Sequence, residues 1–224
     1  MSDNKHSFKT EENVGEMLSK SEKFFEENQK TVYYALIGIV ALVALIILGK
    51  NFYIDPKNIE ASEKLVWCEQ TLARDSFLLA LDGDGINIGY AEIVSSYGIT
   101  KAKNEAAIGA ATCCFHLERY DEAISYAKKV STKSVVFAPA MVGLIGDCYV
   151  EKGDLKAAAA QFEKAAKFDN NFTAPKFLKK AADIYYHEFK DNKKALELYQ
   201  KIKDKYFDSQ QAADIDKYIE RAKL

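Results

Sequence analysis

The sequence predicts an all-α protein, in which one apolar helix is followed by a solenoid of stacked helix pairs. Three observations support this prediction. Residues 32–49 form an uninterrupted apolar run, and residues from 104 onward repeat at a period near 35. The 224 residues also include only three prolines and eleven glycines. Few helix breakers favour helices, and a fixed period of 20–50 residues is typical of stacked repeats.

The apolar run reads VYYALIGIVALVALIILG, with Lys30 shortly before it and Lys50 directly after it. As a helix it is roughly 27 Å long, which is close to the ~30 Å hydrocarbon core of a bilayer. Aromatic residues of the kind found at headgroup level stand at both ends: Tyr33, Tyr34, Phe52 and Tyr53. We therefore predict a transmembrane helix over residues 31–50, with membrane contact through residues 32–49.

Two alternatives to a membrane anchor exist. A buried helix of a globular core rarely runs this long without a polar residue. A cleavable signal peptide has a short, basic leader and small residues at its cleavage site. Here thirty residues rich in acidic side chains precede the run, and LGKNFY follows it without an A-x-A pattern. The sequence favours a retained anchor.

Residues 1–30 are predicted to be a cytoplasmic tail that contains an amphipathic helix. Its apolar stripe consists of Val14, Met17, Leu18, Phe24 and Phe25. Such a helix would lie on the membrane surface or dock on a partner. The tail carries five lysines, and long domains translocate largely regardless of charge. This favours an N-terminus in the cytoplasm and the rest of the chain outside it.

The charge and cysteine content restrict the partners. Lys and Arg number 31, Asp and Glu number 33, and the net charge is -2. No basic stripe is present, so nucleic acid is not expected as a partner. Cys68, Cys113, Cys114 and Cys148 form neither a C-x-x-C motif nor a zinc-site spacing. We interpret them as small buried apolar residues, although free thiols are more typical of a reducing compartment.

Residues 51–103 are predicted to form a helical N-terminal cap or a degenerate repeat. Asp55 and Pro56 are expected to interrupt the chain after the anchor. The spacing of the apolar residues then predicts a helix over residues 61–80. The stretch Asp82–Gly85 begins like a calcium loop, but the later ligand positions are not filled, so its glycines are interpreted as turn formers.

The clearest repeat unit comprises residues 139–172. Small residues, Gly146 and Ala158, stand where its two helices would cross. Aromatic residues, Tyr149 and Phe162, stand where the space between units needs filling. This order of small and aromatic residues around a Gly turn resembles the tetratricopeptide signature.

Two further units flank this one, so that residues 104–208 are predicted to hold three tetratricopeptide repeats. The earlier unit has Ala111 at the small position but Cys114 where an aromatic residue is usual. The later unit has Ala182 and Tyr185 at these two positions. Residues 209–224 form an apolar stripe that suits a capping helix. An unrelated helical bundle is the alternative.

The first helix of each repeat lines the concave face of such a solenoid. The alignment assigns to this groove Glu105, Ile108, Thr112, Phe115 and His116 of the first unit, Gly143, Asp147, Val150 and Glu151 of the second, and Lys176, Lys179, Asp183, Tyr186 and His187 of the third. This mixture of apolar, aromatic and charged side chains suits an extended or helical peptide. Alternatively, some of these side chains only face solvent or contact the final helix.

Catalytic chemistry is not predicted. His116 and His187 occupy equivalent positions in two units, but no carboxylate or cysteine pattern completes a metal site or a nucleophile. We expect no metal, no cofactor and no enzymatic activity. An enzyme that uses the Asp82–Gly85 loop is the remaining alternative of that class.

The order of segments also carries a resemblance. The tail Ser19-Lys-Ser-Glu-Lys-Phe-Phe-Glu-Glu-Asn-Gln-Lys30 runs into the anchor, and Ala80-Leu-Asp-Gly-Asp-Gly85, Gly89-Tyr-Ala-Glu-Ile93 and Tyr97-Gly-Ile-Thr100 precede the repeats. The chain resembles membrane-anchored tetratricopeptide proteins related to the ancillary subunit of the SecYEG translocon (YfgM-like), in their Bacteroidetes form. Cys114 and the thiols of the body depart from this pattern.

The resemblance implies a protein of the bacterial inner membrane, with a cytoplasmic N-terminus and a periplasmic C-terminal domain. It implies a role beside the translocon, with translocon subunits, envelope chaperones or client polypeptides as partners. We therefore expect a non-enzymatic adaptor that binds protein segments in the repeat groove. The alternative is a structural scaffold that assembles a membrane or envelope complex, or a homo-oligomer, through the tail stripe and the anchor.

Overall fold

The computed structural model describes residues 28–224 and shows two compact units, of which the first ends at Pro56 and the second comprises Lys57–Leu224. The tail helix expected around Val14 lies outside the described residues. Within residues 28–224 the regular elements are helices; an isolated antiparallel bridge joins Gly83 and Ile88, and no β-strand occurs. The all-α prediction is confirmed for this part of the chain.

Helix α1 comprises Gln29–Gly49 and is followed by a π-helical turn, Lys50–Ile54. Every side chain from Tyr33 to Gly49 is exposed. Among residues 28–224 this is the one helical stretch that is long and apolar enough to cross a bilayer. Its length and composition are those of a membrane anchor or a signal sequence.

Helix α2 comprises Asp55–Leu72, and the interruption expected at its start is wrong. Pro56 lies in its first turn, and the preceding turn widens so that the Asp55 N–H donates to the carbonyl of Lys50, five residues back. Such π-helical turns accommodate a break in the regular hydrogen-bond ladder.

The single helix expected over residues 61–80 is also wrong, because α2 ends at Leu72 and α3 comprises Phe77–Asp82. Asp75 between them has a φ of 56°, in the left-handed region that ends helices. The resulting turn brings Ala80 and Leu81 of α3 into the core. Helix α4 comprises Tyr90–Ser96.

Three helix pairs follow. The first repeat consists of α5 (Ala102–His116) and α6 (Tyr120–Lys129), the second of α7 (Phe137–Glu151) and α8 (Leu155–Ala166), and the third of α9 (Ala174–His187) and α10 (Asn192–Lys205). A 3₁₀ turn, Gln210–Asp214, and α11, Ile215–Lys223, end the chain.

Equivalent aspartates begin the second helices of two repeats. The carboxylate of Asp154 accepts a hydrogen bond from the N–H of Ala157 at 3.0 Å, and that of Asp191 accepts one from Lys194 at 2.9 Å. N-caps of this kind satisfy backbone donors that the first helical turn leaves unpaired. The two repeats therefore begin their second helices in the same way.

Two glycines on α7, the first helix of the second repeat, pack directly against aromatic rings. A Cβ at Gly146 would lie 2.6 Å from the Phe162 ring, and a Cβ at Gly143 would overlap the Phe177 ring. The Phe162 and Phe177 rings stack with their centroids 6.2 Å apart. The close approach expected at Gly146 is therefore present, and it depends on the missing side chain.

The buried apolar side chains of the second unit form two clusters. The N-terminal cluster extends from Ala61 to Cys148 and includes all four cysteines. The C-terminal cluster extends from Ala158 to Ala222. The boundary between them falls inside the second repeat, between α7 and α8.

Candidate functional site: a pocket in the groove of the first repeat

A cavity of about 430 Å³ opens beside α5. It is lined by Glu69, Leu72, Tyr90, Lys101, Asn104, Glu105, Ile108, Gly109, Thr112, Thr132 and Phe137. Three of these residues, at positions 105, 108 and 112, were assigned to the groove from the sequence. The volume lies within the ~300–1,000 Å³ range of ligand pockets in proteins.

Gly109 and Tyr90 form the inner wall of the pocket. A Cβ at Gly109 would overlap the Tyr90 ring, so this glycine lets α4 pack directly on α5. Tyr90 is 1 % exposed. Burial, followed by the neighbouring thiols of Cys113 and Cys68, raises the pKa of its phenol above the usual value. The ring is therefore a neutral wall at physiological pH.

The rest of the lining is apolar inside and charged at its edge. Leu72 and Ile108 contribute aliphatic surface. The carboxylates of Glu69 and Glu105 stand against the single ammonium of Lys101, so the edge has a net negative charge. This combination fits an apolar side chain that is followed by a basic residue.

Two polar side chains in the lining are already hydrogen bonded. The Asn104 side-chain oxygen accepts from the N–H of Ser131 at 2.8 Å, which ties the α6–α7 loop to α5. The Thr112 hydroxyl donates to the carbonyl of Ile108 in its own helix at 2.9 Å. The pocket is thus held by contacts that do not need a ligand.

The last two groove residues of the first repeat lie elsewhere. His116 stacks on Phe77 of α3, with ring centroids 4.2 Å apart and planes 8° apart. Phe115 meets Tyr120 edge-on at 5.8 Å. The stack of His116 on Phe77 joins α3 to the first repeat, whereas the contact of Phe115 with Tyr120 lies within that repeat.

The second repeat presents a groove that is partly occupied by its neighbour. Asp147 forms an ion pair of 2.5 Å with Lys180 of the third repeat. Gly143, which the alignment placed in the groove, is buried under Phe177 instead. Val150 and Glu151 are exposed.

The third repeat uses its groove residues for internal contacts. Asp183 accepts a hydrogen bond from the Tyr199 hydroxyl at 2.7 Å and pairs with Lys179 at 2.9 Å. The Lys179 ammonium lies 4.0 Å from the centre of the Tyr218 ring on α11. The alternative considered from the sequence, contact with the final helix, therefore holds for Lys179.

The remaining groove residues of the third repeat make fewer contacts with the rest of the chain. Tyr186 packs edge-on against His187, with ring centroids 4.8 Å apart, and Tyr186 is half-buried. His187 and Lys176 are exposed.

The structure thus brings Glu105, Ile108 and Thr112 into one cavity and leaves the other assigned residues outside it. Sequence reasoning missed the residues that α2, α4 and α7 add to the pocket, chiefly Leu72, Tyr90 and Phe137. One signal was available, because Gly109 is a glycine inside a helix and its missing side chain requires a large partner. Which aromatic residue fills that space depends on the packing of α4.

The loop after α3 is closed by its own backbone. The Asp84 carboxylate accepts hydrogen bonds from the N–H groups of Asn87 at 2.6 Å and Ile86 at 2.9 Å. The bonds from Asn87, first from its backbone and then from its side chain, lower the Asp84 pKa. In residues 28–224 no group of three or more His, Cys, Asp or Glu side chains could hold a metal ion.

The cysteines are buried and free. Burial is the main cause that raises the thiol pKa, to about 11 at Cys68, Cys114 and Cys148 and to about 12 at Cys113. Because the thiolate is the reactive species, these thiols are protected from oxidation. Their presence is therefore compatible with an oxidising compartment.

Comparison with protein families identifies a tetratricopeptide repeat over residues 140–172, which is the segment from α7 to the loop after α8. This is the unit that the sequence analysis gave as residues 139–172. No curated protein sequence matches the chain. The chain therefore contains a tetratricopeptide repeat, and such repeats are typical of non-enzymatic modules that bind other proteins.

Proposed function

We propose that the protein is a non-enzymatic, membrane-anchored adaptor that binds segments of other proteins in the groove of the first repeat. The observation that carries this proposal is the cavity of about 430 Å³ beside α5, with an apolar interior and a negatively charged edge. The tetratricopeptide repeat at residues 140–172 supports a role in protein binding.

In this proposal, an apolar side chain of the bound segment packs against Leu72 and Ile108. Its burial supplies the non-specific part of the affinity. A basic residue next to it is attracted by Glu69 and Glu105, which sets the direction of the segment. The groove then accepts many sequences that share this short pattern.

We assign residues 1–30 to a cytoplasmic tail, 31–50 to a transmembrane anchor and 51–103 to a helical cap. Residues 104–208 are assigned to three repeats and 209–224 to a capping helix. We place the chain in a bacterial inner membrane with its repeats in the periplasm. The length and composition of α1 and the burial of the thiols support this assignment.

The partners that we propose are translocon subunits, envelope chaperones or client polypeptides emerging from the Sec translocon. This part rests on the resemblance to the ancillary translocon subunit family and on the pocket, which suits unfolded segments. Digestion of residues 57–224 by a protease added outside spheroplasts would support the topology. Digestion that occurs only after lysis would contradict it.

The binding proposal is tested with the full chain in lipid nanodiscs and fluorescent peptides that carry a Leu-Lys or a Leu-Glu pair. We expect Ile108→Arg to weaken binding of the Leu-Lys peptide at least tenfold. Ser125→Arg, on an exposed position of α6, adds the same charge away from the pocket and should leave the affinity unchanged. Glu105→Lys should reverse the preference between the two peptides.

Equal affinity of wild type and Ile108→Arg would contradict the proposed site. If peptides bind but a photo-crosslinker at position 108 reaches neither translocon subunits nor secretory precursors in cells, the pocket would remain and the translocon role would be rejected. Deletion of residues 1–30 separates the adaptor from the scaffold. A smaller complex with unchanged peptide affinity would favour the scaffold.

A further inference from the structure

We infer that the loops joining successive helix pairs form an edge of the solenoid that rests on a lipid bilayer surface. The loop edge is defined by the most exposed apolar side chain in each of four loops: Ile99, Val135, Phe172 and Phe207. The inference rests on the proposed membrane anchor, and it goes beyond that proposal by naming a second surface of the protein that touches lipid.

The apolar side chains of the loop edge are strongly exposed. Phe172 is 75 % exposed and Phe207 is 76 % exposed, and the other two members are more than half exposed. Large apolar side chains at such exposure are unfavourable in water. Their recurrence in one loop after another indicates a surface with a partner, since isolated exposed residues would not repeat with the architecture.

Hydrogen bonds join neighbouring loops into one edge. The Asn170 side chain donates to the carbonyl of Val135 at 3.0 Å, and the Asn171 side chain donates to the carboxylate of Asp208 at 2.7 Å. These bonds connect the loop that holds Phe172 with the loops before and after it. The N–H of Ser131, in the loop that holds Val135, donates to the side chain of Asn104 in the first turn of α5, which follows the loop that holds Ile99. The edge therefore continues through all four loops of the second unit.

The loop edge lies at the point where the chain enters the second unit. The N–H of Lys101, in the loop that holds Ile99, donates to the side chain of Asn58 at 2.9 Å. Nearby, the Tyr97 hydroxyl donates to Glu60 at 2.6 Å. Both contacts place the first loop of the edge beside the beginning of α2.

Chain length keeps this entry point close to the membrane. Asn58 follows Gly49, the end of the apolar run, by nine residues. Even a fully extended chain of that length reaches only about 30 Å. Given the proposed anchor, this limit raises the effective concentration of lipid at the loop beside Asn58, so that weak lipid contacts become populated.

The pattern of the edge fits lipid better than a protein partner. The loops offer separate apolar tips, which a fluid bilayer accommodates without a complementary pocket. The four loops carry Lys101, Lys133 and Lys167 against Asp169 and Asp208, so their net charge is only +1. Contact should therefore occur with zwitterionic lipid and should change little with salt.

The test uses the full chain, one copy in each nanodisc of zwitterionic phosphatidylcholine. Phe172→Cys and Phe207→Cys each carry an environment-sensitive maleimide dye, because the four native thiols are buried. Phe189→Cys is the matched control, since this exposed aromatic residue lies beyond the opposite end of α9, about 20 Å from Phe172. Val40→Cys within α1 reports insertion of the anchor.

Replacing the lipid by its dibrominated form should quench the dyes at positions 172 and 207 at least twofold and the dye at 189 by less than a tenth. Quenching at 40 with none at 172 and 207 would overturn this inference and leave the anchor intact. No quenching at 40 would overturn the anchor and this inference together. Dyes at 172 and 207 that are shielded from aqueous iodide but not quenched by bromolipid would show a protein occupant, and would also overturn it.

Discussion

The first and third repeats present equivalent helices but use them differently. In the first repeat, Ile108 and Thr112 line an open cavity. In the third, the residues at the same positions, Lys179 and Asp183, contact Tyr218 and Tyr199. One repeat keeps its groove free for a partner, whereas the other uses it to hold the end of the solenoid.

The difference shows that the position of a residue within a repeat does not by itself decide its role. The third repeat is the last one, and α11 must cover its exposed side. Groove residues there become part of the capping contact. The first repeat has its cap on the other side, from α3 and α4. Tyr90 of α4 packs against Gly109 and forms a wall of the groove, and the groove itself stays open.

The largest expected effect is a loss of stability of the N-terminal cluster, but not of the C-terminal cluster, at high pH. The thiols ionise near pH 9 in the unfolded chain but near pH 11 or above when folded, because burial raises their pKa. The unfolded chain therefore loses protons first, and the free energy of unfolding falls as pH rises from 9 towards 11. At pH 10 this costs on the order of 1 kcal/mol for each thiol, and several for all four.

All four thiols belong to the N-terminal cluster, which Trp67 also contacts. Urea unfolding followed by the fluorescence of this single tryptophan should therefore shift to lower urea between pH 7.5 and pH 10. A variant with alanine at all four cysteines should lose most of that shift. A Trp67 transition that is equally stable at both pH values would contradict the prediction.

Removing the ring at the junction of the clusters should have the next largest effect. Phe162 is 1 % exposed, covers Gly146 and stacks on Phe177. We expect Phe162→Ala to lower the free energy of unfolding by about 3–5 kcal/mol. Circular dichroism should show that the C-terminal cluster unfolds at a lower urea concentration than in the wild type. The midpoint of the Trp67 transition should shift less.

Phe168→Ala is the matched control, because this ring follows the same helix but is 44 % exposed. It should cost less than about 1 kcal/mol. Equal losses in the two variants would mean that the ring at 162 does not couple the clusters.

Much of the fold could be predicted from local patterns, whereas the site could be predicted only in part. The small residues of the second repeat and the apolar run are local signals, and the structure agrees with both. The contacts that close a groove are not local. Lys180 reaches Asp147 from 33 residues away, and Tyr218 reaches Lys179 from the final helix. The turn at Asp75 was missed because the apolar spacing continues through it.

Substitutions at equivalent positions of the first and third repeats should rank in opposite order for stability and for peptide affinity. Asp183→Ala leaves the buried Tyr199 hydroxyl without its acceptor and should cost about 1–3 kcal/mol. Thr112→Ala, at the same repeat position, removes only a bond to its own helix and should cost less than about 0.5 kcal/mol. Peptide affinity should change in Thr112→Ala and stay constant in Asp183→Ala. The same ranking for stability and affinity would contradict the division of roles.

The smallest effect concerns the ion pair between the second and third repeats. Asp147 and Lys180 are each about one third exposed, so solvent screens their attraction. A double-mutant cycle with Asp147→Asn and Lys180→Met should give a coupling energy below about 1 kcal/mol, which decreases further in 1 M salt. Lys180→Met also removes the contact of the ammonium with the Phe162 ring, 5.2 Å from its centre, but this loss occurs with and without Asp147 and cancels in the cycle. A coupling above about 2 kcal/mol would show that the pair holds the repeats together, and the groove of the second repeat would then be closed as firmly as that of the third.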